Sequence, residues 1–222
     1  MGSVIDEAKQ IISSVRQSSN RAILFYSAGK DSITLLDLMY PHFDEIILVF
    51  MYFVPGLQHI ENYLNWTKEK YPKVKLIQVP HWNLTYILKS GMYCTPSPNI
   101  KLMKLADIDK SIRLKTGINY SFLGMKKADS LNRRLMLNTY ENGINKGKCY
   151  PLQNWTNKDV LAYMKSKNLP QPVRYSSKAS GGVGFNLDCF LYLREHYPGD
   201  LKKILQAFPM SEKILIDYDN KQ

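Results

Sequence analysis

The segment 21–40 constrains the fold most, because a short apolar run changes there into a helical pattern across a turn of small residues. Residues 21–26 read RAILFY, which predicts a buried strand, and residues 31–40 place apolar side chains at helical spacing. The connecting residues SAGKDS leave backbone N–H groups directed at one point, where the dipole of the following helix favours negative charge. The sequence therefore predicts a phosphate-binding loop at the end of the first strand.

This loop differs from the Walker A pattern, which has a glycine five residues before its Gly-Lys pair and Ser or Thr directly after the lysine. Here Leu24 occupies the first of these positions, and Asp31 follows Lys30. The alternative interpretation is an ordinary strand–turn–helix junction in which Gly29 serves only the backbone geometry.

Strand and helix patterns alternate along the chain. Strands are predicted at 21–26, 46–54, 74–79 and 119–124, and helices between and after them at 31–40, 57–70, 100–116 and 129–141. This order predicts an α/β fold, a doubly wound and mainly parallel sheet flanked by helices, in which ligands bind at the carboxyl ends of the strands. We expect a nucleotide-binding domain at 1–172 and, at 173–222, a glycine-rich segment and helices packed on that domain.

A second group of chemically distinctive residues follows the fourth predicted strand. Gly124 permits a close approach of backbone or ligand, and Asp129 or Ser130 is suited to begin the next helix. Lys126 and its neighbouring lysine lie near that helix start, where cations are disfavoured unless an anion compensates them. The alternative is a basic helix start exposed to solvent.

Charge and cysteine content limit the classes of partner and cofactor. The net charge of +11 and the pI near 9.4 favour polyanions, nucleic acid included, although the lysines are scattered as on an ordinary solvated surface. Cys94, Cys149 and Cys189 are fewer than the four thiols that an iron–sulfur cluster usually takes, so no cluster is expected. Cys94 lies in a polar stretch and is expected to be exposed, whereas Cys189 lies in an apolar helical run and is expected to be buried.

The longest apolar run, 46–54, has nine residues, and a membrane span needs about 20. The first residues lack the basic and apolar regions of a secretory signal. We therefore expect a cytoplasmic chain without a membrane partner. The sequence leaves open whether the chain forms a homo-oligomer.

Two of these motifs resemble those of a known superfamily. The string Ser-x-Gly-Lys-Asp-Ser at 27–32 is similar to the PP-loop of the ATP pyrophosphatases, the adenine nucleotide alpha hydrolases. Gly124, Asp129, Ser130 and Arg133 match the Gly-x-Arg-x-x-Asp/Glu-Ser-x-x-Arg motif of the phosphoadenosine phosphosulfate (PAPS) reductase branch. Lys126 stands in place of the first arginine of that motif.

Two further segments are similar to the same branch. PLQNWTNKDV at 151–160 resembles its Pro-Leu/Ile-x-x-Trp-Thr-x-x-Asp-Val signature. The stretch 55–61 resembles in part the Asp-Thr-Gly-x-x-Phe-Pro-Glu-Thr stretch of the same branch. In local terms Thr156 and Asp159 predict a capping box at a helix start, and Trp155 predicts a packing residue. The resemblance covers residues 20–172 and implies a HUP-like α/β fold.

The resemblance implies an enzyme that binds an adenine nucleotide, ATP with Mg²⁺, and adenylates an acceptor at the α-phosphate with release of pyrophosphate. The implied nucleotide-binding residues are Ser27, Ala28, Gly29, Lys30, Asp31, Ser32, Gly124, Asp129 and Ser130. The implied catalytic residues are Lys30, Asp31, Lys126 and Arg133, with Asp31 also holding Mg²⁺.

Two alternatives stay open beside this function. One is a PAPS or adenosine phosphosulfate (APS) reductase or sulfotransferase that uses an external thiol, because the Glu-Cys-Gly-Leu-His motif of the reductases is missing from residues 173–222. The other is a noncatalytic nucleotide- or nucleic-acid-binding module. The glycine-rich stretch 176–185 is compatible with a lid over phosphates and with a flexible connector.

Overall fold

The computed structural model describes residues 3–175 and 184–221. Its central sheet has six strands in the order β3-β2-β1-β4-β6-β5. The strands are β1 (Arg21–Phe25), β2 (Glu45–Tyr52), β3 (Val74–Pro80), β4 (Ser121–Phe122), β5 (Ile144–Asn145) and β6 (Lys148–Cys149). All neighbouring strands pair in parallel except β5 with β6. The predicted α/β, mainly parallel fold is confirmed.

Ten α-helices lie within the described residues. They are α1 (Val4–Arg16), α2 (Lys30–Met39), α3 (Gln58–Lys70), α4 (Leu84–Ser90), α5 (Leu105–Thr116), α6 (Leu131–Asn138), α7 (Asn157–Ser166), α8 (Leu187–His196), α9 (Pro198–Ala207) and α10 (Lys213–Asp219). No helix in the described part of the chain is both long and apolar enough to span a bilayer.

Side chains that alternate along the central strands supply two separate hydrophobic cores. Leu24 of β1 faces a core that includes buried residues of α1, α2 and α7, whereas its neighbours Ile23 and Phe25 face a core with α5 and α6. A strand that is apolar on both faces must be covered by helices on both sides. The sheet is therefore doubly wound, as the strand–helix alternation predicts.

The structure differs from the sequence predictions mainly in short elements. The predicted strand 119–124 pairs only over β4, and the hairpin of β5 and β6 is too short to give an alternating pattern. The predicted helix 100–116 begins later, at α5, because the backbone N–H of Lys104 donates to the Asp107 carboxylate at 2.8 Å and fixes the start there. Helices α4 and α10 were not predicted.

Helix α9 is joined to the start of α3 by one buried carboxylate. Asp200 accepts hydrogen bonds from the backbone N–H groups of Gln58 at 2.7 Å and His59 at 3.0 Å, and it lies 2.6 Å from Nδ1 of the His59 ring. The other ring nitrogen of His59 lies 3.0 Å from the Tyr175 hydroxyl. Since Leu57 offers no side-chain cap to α3, the cap comes from α9. The domain boundary at residue 172 stays a prediction, and residues 176–183 of the proposed lid lie outside the described residues.

We predict that Asp200→Ala lowers the free energy of unfolding by about 2–4 kcal/mol, because it leaves two N–H groups at the start of α3 and the buried His59 ring without their acceptor. Urea denaturation followed by circular dichroism measures the change. The matched control is Asp219→Ala, which removes an exposed ion pair with Arg194 and is expected to change stability by about 0–1 kcal/mol. Equal losses in the two variants would contradict the capping role.

Candidate functional site

The 27–32 loop lies at the carboxyl end of β1 and closes on itself through side-chain hydrogen bonds. The Ser32 hydroxyl donates to the Gly29 carbonyl at 3.0 Å and accepts from the backbone N–H of Ser27 at 3.2 Å. Ala28 has a φ of +56°, which an L-residue rarely adopts and which is concentrated at functional sites. Because β1 lies between β2 and β4, this loop stands where the strand order reverses, the usual ligand position in such sheets.

Backbone donors are available at the loop. The N–H groups of Lys30, Asp31 and Ser32, which begin α2, have no acceptor among the described residues. Three adjacent free donors at the positive end of a helix dipole form a site for an anion. The local geometry thus has the donors that a phosphate group requires.

Lys126 is buried beside the loop, although its position at a basic helix start suggested a ligand contact. Its side chain is 0% exposed, and its Nζ lies 2.6 Å from Oδ1 of Asp31 and 2.9 Å from Oδ1 of Asp129. The second oxygen of Asp31 accepts from Lys30 Nζ at 2.9 Å. Lys126 therefore links the first turn of α2 to the turn before α6 and positions Asp31, and it presents no surface to a ligand.

Asp129 completes this network. Its Oδ2 accepts from the Lys126 backbone N–H at 3.0 Å and from Arg133 at 2.6 Å. Burial alone would raise the pKa of Asp129, but the hydrogen bonds from Lys126 and Arg133 hold that pKa below its usual range. Ser130 caps α6 through the backbone N–H of Arg133 at 3.2 Å. Lys126 and Arg133 are therefore both bound to Asp129.

Gly124 lies against the loop, as its sequence context predicted. A Cβ atom built at Gly124 would stand 3.3 Å from both the carbonyl carbon and the Cβ of Asp31. Only a residue without a side chain leaves that first turn of α2 undisturbed.

A cavity of about 140 Å³ begins at the loop and crosses the carboxyl ends of β1, β2 and β3. It is lined by Ser27, the residues 50–54, Gly56, Leu57, Ile60, Glu61, Gln78 and His81. Most of these walls are apolar, and the amide of Gln78 donates to the Glu61 carboxylate at 2.9 Å at one side. Such a space accepts a flat, mainly apolar group next to an anion site.

Three aromatic rings run outward from this cavity, and sequence reasoning missed them. The ring centroids of Phe53 and His81 are 4.6 Å apart, and those of His81 and Trp82 are 5.4 Å apart, with interplanar angles of 30° and 32°. Burial lowers the pKa of His81, so its ring is uncharged at neutral pH. The available signal was the aromatic pair His81-Trp82 directly after a predicted strand.

The three cysteines are free and buried. The prediction for Cys189 is confirmed, whereas the expected exposure of Cys94 is wrong, because that side chain is enclosed in the core that faces α1 and α2. Burial raises the pKa of Cys149 to about 12 and that of Cys189 to about 11, which disfavours the reactive thiolate. Within the described residues, no group of three or more His, Cys, Asp or Glu side chains is arranged to hold a metal ion.

Solved structures of three proteins are similar to this chain. An NH₃-dependent NAD synthetase from Campylobacter jejuni has a TM-score of 0.52 at 12% identity and covers 98% of this chain and 95% of its own. A PAPS reductase from Candida auris has a TM-score of 0.48 at 13% identity, and the match covers 74% of this chain and 81% of the reductase. The U34-tRNA thiolase NcsA from Methanococcus maripaludis has a TM-score of 0.49 at 12% identity, and the match covers 93% of this chain and 78% of the thiolase. At 12% identity the likeness to the NAD synthetase shows the fold alone.

One of these structures corrects an expectation about cofactors. The archaeal tRNA thiolase is described with its [4Fe-4S] cluster, so the expectation that no iron–sulfur cluster accompanies a chain of this kind is wrong. The physical reason is that counting thiols is insufficient, since cluster irons also accept ligands other than cysteine, as histidine does in Rieske centres.

No curated protein matches the sequence. The family model of the phosphoadenosine phosphosulfate reductase domain matches residues 21–177, a segment that begins with β1 and includes the loop, Gly124, the Lys126 network and α7. Since this match spans more than half of the 222 residues, the chain belongs to the phosphoadenosine phosphosulfate reductase domain family, within the PP-loop adenine nucleotide alpha hydrolases.

Proposed function

We propose that this chain is an enzyme that binds ATP and transfers its adenylyl group to an acceptor, releasing pyrophosphate. In this reaction an acceptor oxygen forms a bond to the α-phosphorus while the bond to the bridging oxygen breaks, and the electron pair leaves with pyrophosphate. The acceptor's proton passes to solvent. The observation that carries the proposal is the free backbone donors of the 27–32 loop beside an apolar cavity at the same sheet edge.

The two ends of the site match the two ends of the nucleotide. The N–H groups of Lys30, Asp31 and Ser32 supply donors to the pyrophosphate oxygens, and Lys30, whose side chain is 25% exposed, supplies a cation within the same loop. The cavity that begins at Ser27 has apolar walls for the adenine ring, with Gln78 at one side to hydrogen-bond a polar edge. Orientation and electrostatics are thus the contribution of the protein.

Asp31 does not fit the role of a magnesium ligand in this arrangement. Each of its carboxylate oxygens lies within hydrogen-bond distance of a lysine ammonium, 2.9 Å from Lys30 and 2.6 Å from Lys126. A divalent cation there would have to displace one ammonium group and approach the other. The proposed reaction therefore has no step at a metal bound to Asp31.

Arg133 acts through Asp129 in the proposed reaction. Its guanidinium binds the carboxylate that in turn holds Lys126, so it supports the position of Asp31 from a distance. Its side chain is 45% exposed, which leaves part of its surface accessible to an acceptor or a phosphate. Ser130 supports the same helix start as a cap.

A second candidate is binding of a sulfonucleotide, PAPS or APS, with an external thiol as reductant. The match to the PAPS reductase domain family favours it. The buried cysteines, two of them with raised thiol pKa values, require that the attacking thiol come from another molecule.

Calorimetry and product analysis separate the two candidates. With ATP labelled at the α-phosphate in a magnesium-containing buffer, we expect AMP or an adenylated acceptor together with pyrophosphate. Calorimetric titrations compare the affinities of ATP and PAPS. Tighter binding of PAPS, together with no AMP from ATP across the acceptors tested, would replace the first proposal by the second.

We expect Lys30→Ala to weaken ATP binding by about 1–3 kcal/mol, the size of a lost charge-assisted hydrogen bond. The loop is at the surface, so the fold is expected to persist, which circular dichroism verifies. The matched control is Lys158→Ala, since Lys158 is an exposed lysine in the first turn of α7. Unchanged ATP affinity in a folded Lys30→Ala protein would refute the phosphate site.

Gly124→Ala tests whether the first turn of α2 must stay in place. The added methyl group meets Asp31 backbone and Cβ atoms at 3.3 Å, so the first turn of α2 has to shift, at the usual overpacking cost to stability of about 1–3 kcal/mol, and we expect ATP affinity to fall with it. Gly199→Ala is the matched control, because its added Cβ has no atom within 4 Å. Isothermal titration of ATP into both variants measures the difference, and similar affinities would contradict the packing argument.

A further inference from the structure

An exposed apolar surface continues outward from the ring column of Phe53, His81 and Trp82. Trp82 is 37% exposed, and Tyr86, one turn further along in α4, is 52% exposed. The segment 101–104 packs beside them, because the Thr85 hydroxyl accepts from the backbone N–H of Met103 at 2.9 Å and donates to the Trp82 carbonyl at 3.0 Å. Leu102 and Met103 are exposed as well. We call this set, Trp82, Tyr86, Leu102 and Met103, the α4 surface.

The chain segment that carries the α4 surface has charges of one sign, and the nearest carboxylate in sequence is Asp107, which caps α5 through the backbone N–H of Lys104. From residue 70 to residue 106 the sequence contains no Asp or Glu. Lys89, Lys101 and Lys104 are exposed, and none of them forms an ion pair with a described residue. Unpaired lysines around exposed aromatic rings give a surface that attracts polyanions and offers flat apolar faces.

We propose that the α4 surface and its three lysines bind single-stranded nucleic acid. An unpaired base stacks on the exposed ring of Trp82, and a neighbouring base stacks on Tyr86, while Lys89, Lys101 and Lys104 contact the phosphates. The column continues inward through His81 and Phe53, which line or adjoin the cavity. A bound strand therefore passes the mouth of that cavity. This inference goes beyond the proposed function, since binding of the strand does not require ATP.

Two properties of the surface favour a single strand over other occupants. In a duplex the bases are stacked on one another, so the rings of Trp82 and Tyr86 have no unpaired base to contact. A protein partner would bury the apolar side chains equally well, but the one-sided charge of residues 70–106 complements a phosphate backbone in particular.

The test is the fluorescence anisotropy of labelled oligonucleotides of about 20 nucleotides, RNA and DNA, single-stranded and duplex, titrated with the full chain without ATP. We expect single strands to bind more tightly than duplexes and affinity to fall steeply between about 50 and 200 mM salt. Trp82→Ala is expected to weaken single-strand binding about 5- to 150-fold, and Trp82→Phe to retain most of it, because it keeps a ring. The double variant Lys101→Ala/Lys104→Ala is expected to reduce the salt slope by about 1 to 2.

Matched controls lie on α7, away from the α4 surface. Leu161→Ala removes an exposed apolar side chain, and Lys158→Ala/Lys165→Ala removes two exposed lysines. These controls are expected to keep the wild-type affinity and salt slope. Equal losses in the α7 and α4 variants, duplex binding as tight as single-strand binding, or no binding at about 50 mM salt would each overturn the proposal. Circular dichroism and thermal unfolding show that each variant compared is folded.

Discussion

The buried ammonium group of Lys126 is the interaction on which the rest of the site depends. It connects Asp31, at the start of α2, with Asp129, before α6, and so joins the two elements that follow the neighbouring strands β1 and β4. A fully enclosed charge is tolerated only when it is well paired, and breaking such a pair typically costs about 3–5 kcal/mol. Both carboxylates and the turn that carries Lys126 are therefore held in one arrangement, with Gly124 leaving the space for it.

This arrangement explains how an acidic residue can sit in the first turn of a helix that we propose to bind phosphate. Asp31 interacts favourably with the dipole of α2 but would repel an incoming phosphate if its charge were uncompensated. Lys30 and Lys126 bind its two oxygens, so the negative charge is neutralised within the protein. A lysine is suited to this position because a compact ammonium can approach two carboxylates in a closed space, whereas the planar guanidinium of arginine needs more room. The free N–H groups of the loop then remain available to the phosphate of the proposed nucleotide.

The elements that the sequence predicted are those specified by neighbouring residues. The strand–loop–helix unit at 21–40 follows from a local apolar pattern, and the capping box of Thr156 and Asp159 is formed as the sequence indicates. Trp155 is buried and donates to the Val4 carbonyl at 2.9 Å, as expected of a packing residue. For the strand–loop–helix unit and the capping box, the signal and the structure lie in the same short stretch of chain, whereas Trp155 shows only its burial in the local pattern and finds its partner in α1.

The parts that were not predictable depend on partners distant in sequence. Lys126 resembles an exposed basic residue until Asp31, 95 residues away, is placed beside it. The cap of α3 comes from Asp200, more than 140 residues away, and no local pattern marks that carboxylate as a capping group.

The contact between Asp200 and α3 also affects the candidate site, because the residues after Pro55 both begin α3 and line the cavity. Lys203 of α9 also donates to the Gly56 carbonyl. Helix α9 therefore holds the start of α3, and with it the residues Gly56 and Leu57 that form part of one cavity wall.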